Sequence, residues 1–156
     1  MDVGARRATA ADVDRMAELA AAALAEQAGA RGGTIWALRE ARAVPAHDSL
    51  RDDLGDERAI VLVGGVDGAV LGYAVARVEP LRDGSTQARL VDIVVEPLAR
   101  EVGVGEALLD EVLAWAAAQG CRGIDALVLP GNRATKNFFE TAGLTARAIV
   151  VHRELG

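Results

Sequence analysis

The stretch from Leu90 to Ala118 constrains this chain most, because a β-branched run, a glycine-bearing loop and an amphipathic helix follow one another without a break. Leu90-Val-Asp-Ile-Val-Val95 reads as a strand that Pro97 stops, since proline has no N–H to give to a ladder. Val104, Leu108, Val112 and Trp115, flanked by Leu109, Leu113 and Ala116, recur at helical spacing up to Gly120. Glu106, Asp110 and Glu111 fall on the opposite, solvent face. Between strand and helix lies Arg100-Glu-Val-Gly-Val-Gly105. The first N–H groups of a helix lack intrahelical partners and carry partial positive charge, so this loop is a backbone cradle for an anion such as a phosphate.

The flanking sequence fills in one domain over residues 1–156. Thr9-Ala-Ala-Asp12 is a capping box before a helix from about Ala10 to Ala28, with Val13, Met16, Ala17, Ala20 and Leu24 on its apolar face and Gly29 as its stop. Thr34 to Ala43 reads as a second helix ended by Pro45, with Ile35, Leu38 and Trp36 inward and Arg39, Glu40 and Arg42 outward. Ser49 to Leu54 adds a short helical turn. The period then changes: Ala59 to Val63 and Ala69 to Val78 are β-branched runs around Gly64-Gly-Val-Asp-Gly68, the signature of an antiparallel hairpin. Arg89 to Val95 follows as the next strand, and after the central helix come a short buried strand over Ile124 to Leu129, a helix over Arg133 to Thr141, and a last strand over Leu144 to Arg153.

Composition excludes several functions. A net charge of −6 argues against general nucleic-acid binding. No apolar run approaches the roughly 20 residues a membrane span needs, and Met1 to Arg7 lacks the regions of a signal peptide, so a cytoplasmic protein with no membrane association is expected. Cys121 is the only cysteine, which rules out an intrachain disulfide and a cysteine metal cluster, and no metal is expected.

The order of two helices, a three-stranded meander, then helix, strand, helix and strand resembles the GCN5-related N-acetyltransferase (GNAT) superfamily over essentially the whole chain. Its signature Gln/Arg-x-x-Gly-x-Gly/Ala is matched by Arg100, Gly103 and Gly105 directly after a strand ending in Val95 and Pro97. A second block, Asn-x-x-Ala-x-x-x-Tyr-x-x-x-Gly-Phe, is met in altered form by Asn132, Thr135, Phe139, Gly143 and Leu144. The resemblance implies an α/β (α+β) fold with a central, mostly antiparallel, twisted sheet of six or seven strands split into a V and flanked by about four helices. It also implies acetyl-CoA as cosubstrate. Its pyrophosphate would lie on Arg100, Glu101, Val102, Gly103, Val104, Gly105 and Glu106, and its pantetheine arm would pair with the strand edge Ile93, Val94 and Val95 in the manner of strand addition. Asn132, Lys136, Asn137 and Phe139 would complete the cofactor site.

Acetyl transfer to an amine needs a deprotonated nucleophile, a stabilised oxyanion and a departing thiolate. By the same resemblance, the strand N–H of Val95 is the candidate for the oxyanion. Asp92 is the first choice of general base, since it interrupts an apolar run one residue before the cofactor edge, and Glu79 is the second. Phe139 stands where the family commonly carries a tyrosine acid. Losing a general acid costs on the order of 10²–10⁴ in rate, yet a thiol with a pKa of about 8.5 is already a tolerable leaving group. Glu101 and Glu106 replace residues that the family more often keeps neutral or basic, and would weaken phosphate binding if they pointed inward.

The resemblance leaves two alternatives open. Gly103-Val-Gly105 could begin a dinucleotide fingerprint, but Leu108 holds the third glycine position and the loop after Val95 is too long for a tight turn. A non-catalytic acetyl-CoA sensor or interaction domain would keep the cradle and lose the chemistry, and Phe139 supports it. The acceptor would be a small-molecule or peptide amine, with Asp48, Asp52, Asp53 and Glu79 hinting at a cationic one. Ala148 to Val151 would be either a core strand or part of a homodimer interface.

Overall fold

Five strands make a single sheet in the order β1 (Val3–Arg7), β2 (Ala59–Val66), β3 (Ala69–Pro80), β4 (Thr86–Val95) and β5 (Ile124–Ala126), in a computed structural model that describes all 156 residues. All neighbours are antiparallel except β4 and β5, which run parallel. Five helices surround the sheet: α1 (Val13–Ala28), α2 (Gly33–Arg39), α3 (His47–Leu54), α4 (Val104–Ala118) and α5 (Arg133–Thr141). The mixed α/β architecture with an open, mostly antiparallel sheet agrees with the sequence reading, at five strands instead of six or seven.

Alternation along the central strands builds a core on each face. Ile60 and Leu62 of β2 with Ala74 and Ala76 of β3 meet Val104, Leu108, Val112 and Trp115 of α4 on one side. Val61, Val63, Tyr73 and Val75 meet Val13, Met16, Ala17 and Ala20 of α1 and Leu50 of α3 on the other. Side chains are kept small where α4 crosses the sheet. A Cβ on Gly64 would stand 2.9 Å from Leu108 Cγ, and one on Gly72 would stand 2.6 Å from the Val94 carbonyl oxygen. Substituting either would overpack a junction that has no slack.

Three expectations fail, each for a physical reason. β1 was not anticipated: Val-Gly-Ala-Arg-Arg has little apolar pattern, and it becomes a strand by pairing with β2 from Val3↔Val66 to Arg7↔Leu62. α2 ends at Arg39, and two of its apolar residues do not face inward, with Ile35 41% and Leu38 82% exposed, while Trp36 is half-buried. Arg42, placed outward by helical phase, lies in the loop beyond, with its side chain only 8% exposed. The last strand expected over Leu144 to Arg153 does not form. Residues 145–156 are exposed and make no backbone hydrogen bonds, because β5 offers only three residues of ladder and nothing in the chain covers the run.

Candidate active site

A bulge in β4 sets the site. Register runs from Ala76↔Leu90 to Val75↔Asp92, which leaves Val91 as the extra residue. Ala88 and Leu90 point into the α4 core, and strict alternation would send Asp92 and Val94 there too. The extra residue reverses the phase. Ile93 and Val95 pack toward α4, while Val91 and Val94 pack with Tyr73 on the α1 side. The carboxylate of Asp92 thereby comes to lie beside the Tyr73 hydroxyl instead of inside an apolar core.

Past the bulge, β4 and β5 separate. Their pairing covers only Ala88↔Ile124 to Leu90↔Ala126, so residues 91–95 have no neighbour on that side. Glu96 N donates to Leu71 O at 2.8 Å, and antiparallel alternation therefore turns the Val94 backbone toward β3 and the N–H and C=O of Ile93 and Val95 toward the opening. The Val95 carbonyl accepts from Arg100 Nε at 3.1 Å. A V-shaped cleft of about 130 Å³ fills the gap, walled by residues 91–94, by residues 126–129, and by Asn132, Thr135 and Phe139 near α5. Gln27 of α1, Trp36 of α2 and Glu40, Arg42, Tyr73 and Arg89 add to the lining.

The polar centre of this cleft is buried and tightly paired. Arg42 Nε donates to Asp92 Oδ2 at 2.5 Å, and the Tyr73 hydroxyl donates to the same oxygen at 3.1 Å. Arg42 Nη1 donates to Ser49 Oγ at 3.1 Å, and Nη2 lies 2.7 Å from Asp53 Oδ2 without hydrogen-bond alignment, an electrostatic contact. Arg77 bridges Asp53 and Asp56 behind it. Asp92 Oδ1 has no protein partner and is not sealed off from solvent, so it is the oxygen left free to accept a proton.

Titration follows from this packing. Burial raises the Asp92 carboxyl above the usual carboxylate range, against the opposing pull of Arg42 and of the Tyr73 hydroxyl. Burial also works against the Arg42 charge, but Asp92 and Asp53 outweigh it and hold the guanidinium above its ordinary value. Tyr73 is 1% exposed, and burial together with the Asp92 charge pushes its hydroxyl far up, so it is a hydrogen-bond donor and not a phenolate.

The cradle lies beyond the mouth of the V. Gly103, at φ 96°, turns the chain in the left-handed region that favours glycine, and no side chain caps α4. The N–H groups of Gly103, Val104, Gly105 and Glu106 have no acceptor in the chain, as the first turn of an uncapped helix leaves them. Glu101 and Glu106 are exposed, which removes the repulsion they would exert from inside. Val104 and Gly105 are buried, and a Cβ on Gly105 would sit 3.2 Å from Phe138 Cε1, so this glycine also serves close packing of α4 on α5. Arg100 does not turn into the cradle: both of its terminal nitrogens bind Glu26 of α1 at 2.7 Å. Val102 is half-buried against the α4 core.

Other expected site residues are dispersed. Glu79 pairs with Gln87 four residues along β3 from Val75, about 13 Å from the Asp92 level at strand rise, and does not reach the cleft. Asn132 lines the cleft while its side chain caps α5 by accepting from Thr135 N at 3.1 Å. Lys136 and Asn137 are exposed on α5, and Lys136 lies 3.6 Å from Glu140. Phe139 is 5% exposed and forms part of the cleft wall. The acidic hint at a cationic acceptor loses its basis: Asp53 is neutralised by Arg42 and Arg77, Asp48 lies 3.2 Å from Arg51, and none of Asp48, Asp52, Asp53 or Glu79 lines the cleft. No cluster of His, Cys, Asp or Glu is placed to hold a metal ion, and no helix is long and apolar enough to cross a membrane.

Sequence reasoning gave neither Arg42 nor Tyr73 a role at the site. Arg42 carried no signal, because its burial comes from the loop after α2. Tyr73 lies two positions from Val75, which faces Asp92, and that diagonal could be found only by placing the bulge at Val91.

Comparison with known proteins agrees with this geometry. A model of the Acetyltransferase (GNAT) family matches residues 33–144, which include the start of α4 and the cleft walls formed by β4, residues 126–129 and α5. The mycothiol acetyltransferase of Clavibacter michiganensis subsp. michiganensis (strain NCPPB 382) is 45% identical over 75 residues, a match covering 47% of this chain and 22% of that protein. A mutant protein from Bacillus halodurans superposes with a TM-score of 0.83 at 22% identity, covering 99% of both chains. AAC(6′)-Iy, solved with the bisubstrate analogue CoA-S-monomethyl-acetylneamine, superposes with a TM-score of 0.74 at 19% identity over 100% of this chain and 99% of its own. At those identities the two superpositions speak for the fold.

Proposed function

Because the chain belongs to the GNAT acetyltransferase family, we propose that it transfers the acetyl group of acetyl-CoA to a primary amine of a small molecule or peptide by direct attack. The observation that carries this reading is the open edge of β4, where residues 91–95 lack a neighbouring strand and the cleft lined by residues 91–94 holds one half-paired carboxylate. A pantetheine arm is an extended chain of amides, and it fits such an edge as an added strand. The free N–H groups at Gly103 to Glu106 would hold the pyrophosphate. Bound in this way, acetyl-CoA supplies an activated acyl group.

The residues divide the remaining work. Asp92 Oδ1 accepts the proton of the attacking amine, while Arg42 and Tyr73 fix Oδ2 and set the orientation of the carboxylate. Val95 N–H points into the opening and stabilises the oxygen that gains charge as the amine adds. Phe139 donates nothing, and the sulfur departs as thiolate, with a thiol pKa of about 8.5 making that tolerable near neutrality. Lys136 and Asn137, exposed on α5, would contact the outer, nucleotide half of the cofactor.

The test is thiol release from acetyl-CoA in the presence of a broad panel of primary amines. Release that needs both protein and amine, and that falls by roughly 10²-fold or more in Asp92→Asn, is the expected result. Saturable acetyl-CoA binding with no turnover on any amine would overturn it in favour of a sensor or interaction domain.

A further inference from the structure

Arg89 is the one charged side chain of the cleft that the fold leaves without a partner. Glu40, Arg42, Arg89 and Asp92 are the charged residues of the lining. Arg42 and Asp92 hold each other, and Glu40 Oε1 lies 3.8 Å from Arg39 Nε. The Arg89 side chain is exposed and forms neither a hydrogen bond nor an ion pair.

Its neighbours on the sheet sharpen this isolation. Across the ladder on β3 stands Arg77, and on β5 stands Asp125. Like charges directly opposite one another destabilise a sheet, so Arg89 and Arg77 are a costly pair unless each has an anion. Arg77 has Asp53 and Asp56. Asp125, the obvious counter-ion for Arg89, is engaged elsewhere: Arg147 Nε donates to its Oδ1 at 2.7 Å and Gln87 Nε2 to its Oδ2 at 2.9 Å. An arginine fork lined up on a cleft with its adjacent carboxylates already committed is suited to carboxylate or phosphate oxygens that arrive from outside.

Register places that fork beside the reacting end of the cleft. Alternation sends Ala88 and Leu90 to the α4 core and Arg89 to the opposite face, and the bulge keeps Asp92 on that same face, opposite Val75 of the α1 core. Arg89 and Asp92 pair with Arg77 and Val75, two residues apart on β3, which is a separation of about 7 Å along the sheet. Val95 pairs with Gly72, five residues from Arg77, or about 17 Å away. The cradle at the start of α4 lies beyond Val95, so its anion and the anion of Arg89 belong to opposite ends of the cleft.

We propose that Arg89 binds a carboxylate or phosphate carried by the acceptor itself, so that the acceptor is a small amine with an anionic group a few bonds from its nitrogen. The proposal rests on the transfer reaction above and names its substrate class. With the anion on Arg89 and the amine at Asp92 Oδ1, the acceptor is held at two points along β4 and its nitrogen is aimed at the cleft.

Matched probes test it: β-alanine against ethylamine, and O-phosphoethanolamine against ethanolamine, differ within each pair by the anion. The wild-type chain is expected to favour the anionic member of one pair by roughly 10-fold or more in kcat/KM, and which pair responds tells carboxylate from phosphate. Arg89→Gln is expected to erase the preference through KM and not kcat, and Arg89→Lys to restore part of it. A binding readout separates this proposal from the transfer reaction. With excess coenzyme A present, the Arg89 Nε–H resonance of the ¹⁵N-labelled chain is expected to shift saturably with the anionic member alone, whether or not the probe is turned over. Equal turnover within both pairs, equal loss for both members in Arg89→Gln, or no Arg89 shift with any probe would overturn the proposal. An Arg89 shift without turnover would uphold the anion site and count against the transfer reaction.

Discussion

Replacing Arg42 by methionine probes the buried charge cluster at its centre. Arg42, Asp53 and Asp92 have side chains only 8–9% exposed, so each charge depends on its partners instead of on water. A unit charge pair about 4 Å apart is worth about 4 kcal/mol at an effective dielectric of about 20, and Arg42 serves two such pairs. Releasing the guanidinium from burial offsets part of this loss, and breaking a buried pair typically costs about 3–5 kcal/mol net. Asp53 keeps Arg77, whereas Asp92 keeps only the Tyr73 hydroxyl, so most of the damage falls on Asp92. The expected destabilisation is about 3–4 kcal/mol, or a fall in melting temperature of about 10 °C for a chain of this size.

The pH dependence gives this prediction its sign. Without Arg42 the Asp92 carboxyl rises further above its unfolded value, so the folded state binds the proton more tightly than the unfolded one. Stability of the variant then falls as pH rises through that range and recovers as pH drops. Denaturant unfolding at about pH 5 and about pH 8 should show the larger deficit at the higher pH. Arg42→Met/Asp92→Asn should recover much of the loss, since no uncompensated carboxylate remains. A loss below about 1 kcal/mol that does not change with pH would refute the idea that Arg42 is the counter-ion of this site.

Other perturbations separate packing from chemistry. Gly105→Ala should cost about 1–3 kcal/mol by overpacking against Phe138, and Phe138→Leu in the same chain should relieve it in thermal melts. Phe139→Tyr should change kcat by less than about 10-fold near neutral pH, because a thiolate leaving group does not demand an acid; an increase of about 10² or more would show that proton donation limits the reaction. Arg6 holds Asp12 below the usual carboxylate range by a bidentate hydrogen bond at 2.8 and 2.9 Å. That stability is present above the unfolded pKa and is lost as pH falls through the folded one. Asp12→Asn should therefore lower stability by about 1 kcal/mol at neutral pH, a figure discounted for solvent screening at the exposed Arg6, with the difference closing toward acid pH in paired melts.

The sequence was most legible where the signal is periodic and local. The α4 face and the pairing of the two hairpin strands follow from neighbouring residues, although β2 continues through Gly64 and Gly65 to Val66 and leaves only Asp67 and Gly68 for the turn. Asp92 was legible as an anomaly in an apolar run. Its partners were not, because Arg42 reaches it from a loop 50 residues away and Tyr73 reaches it across a bulge. β1 escaped notice because it is a strand only by virtue of its neighbour, and the expected last strand failed because pattern alone cannot supply one. Glu79 was misplaced for lack of register: it shares a strand end with Gln87 and lies far along the sheet from the cleft.

Acetyl-CoA is proposed to bind along the opened β4 edge and the α4 start together. Titrating acetyl-CoA into the uniformly ¹⁵N-labelled chain and following amide resonances tests it most directly. Saturable shifts concentrated at Ile93, Val95 and Gly103 to Glu106 are expected, with Val94, whose backbone faces β3, shifting less. Saturable binding with its shifts elsewhere, or no binding at all, would contradict it.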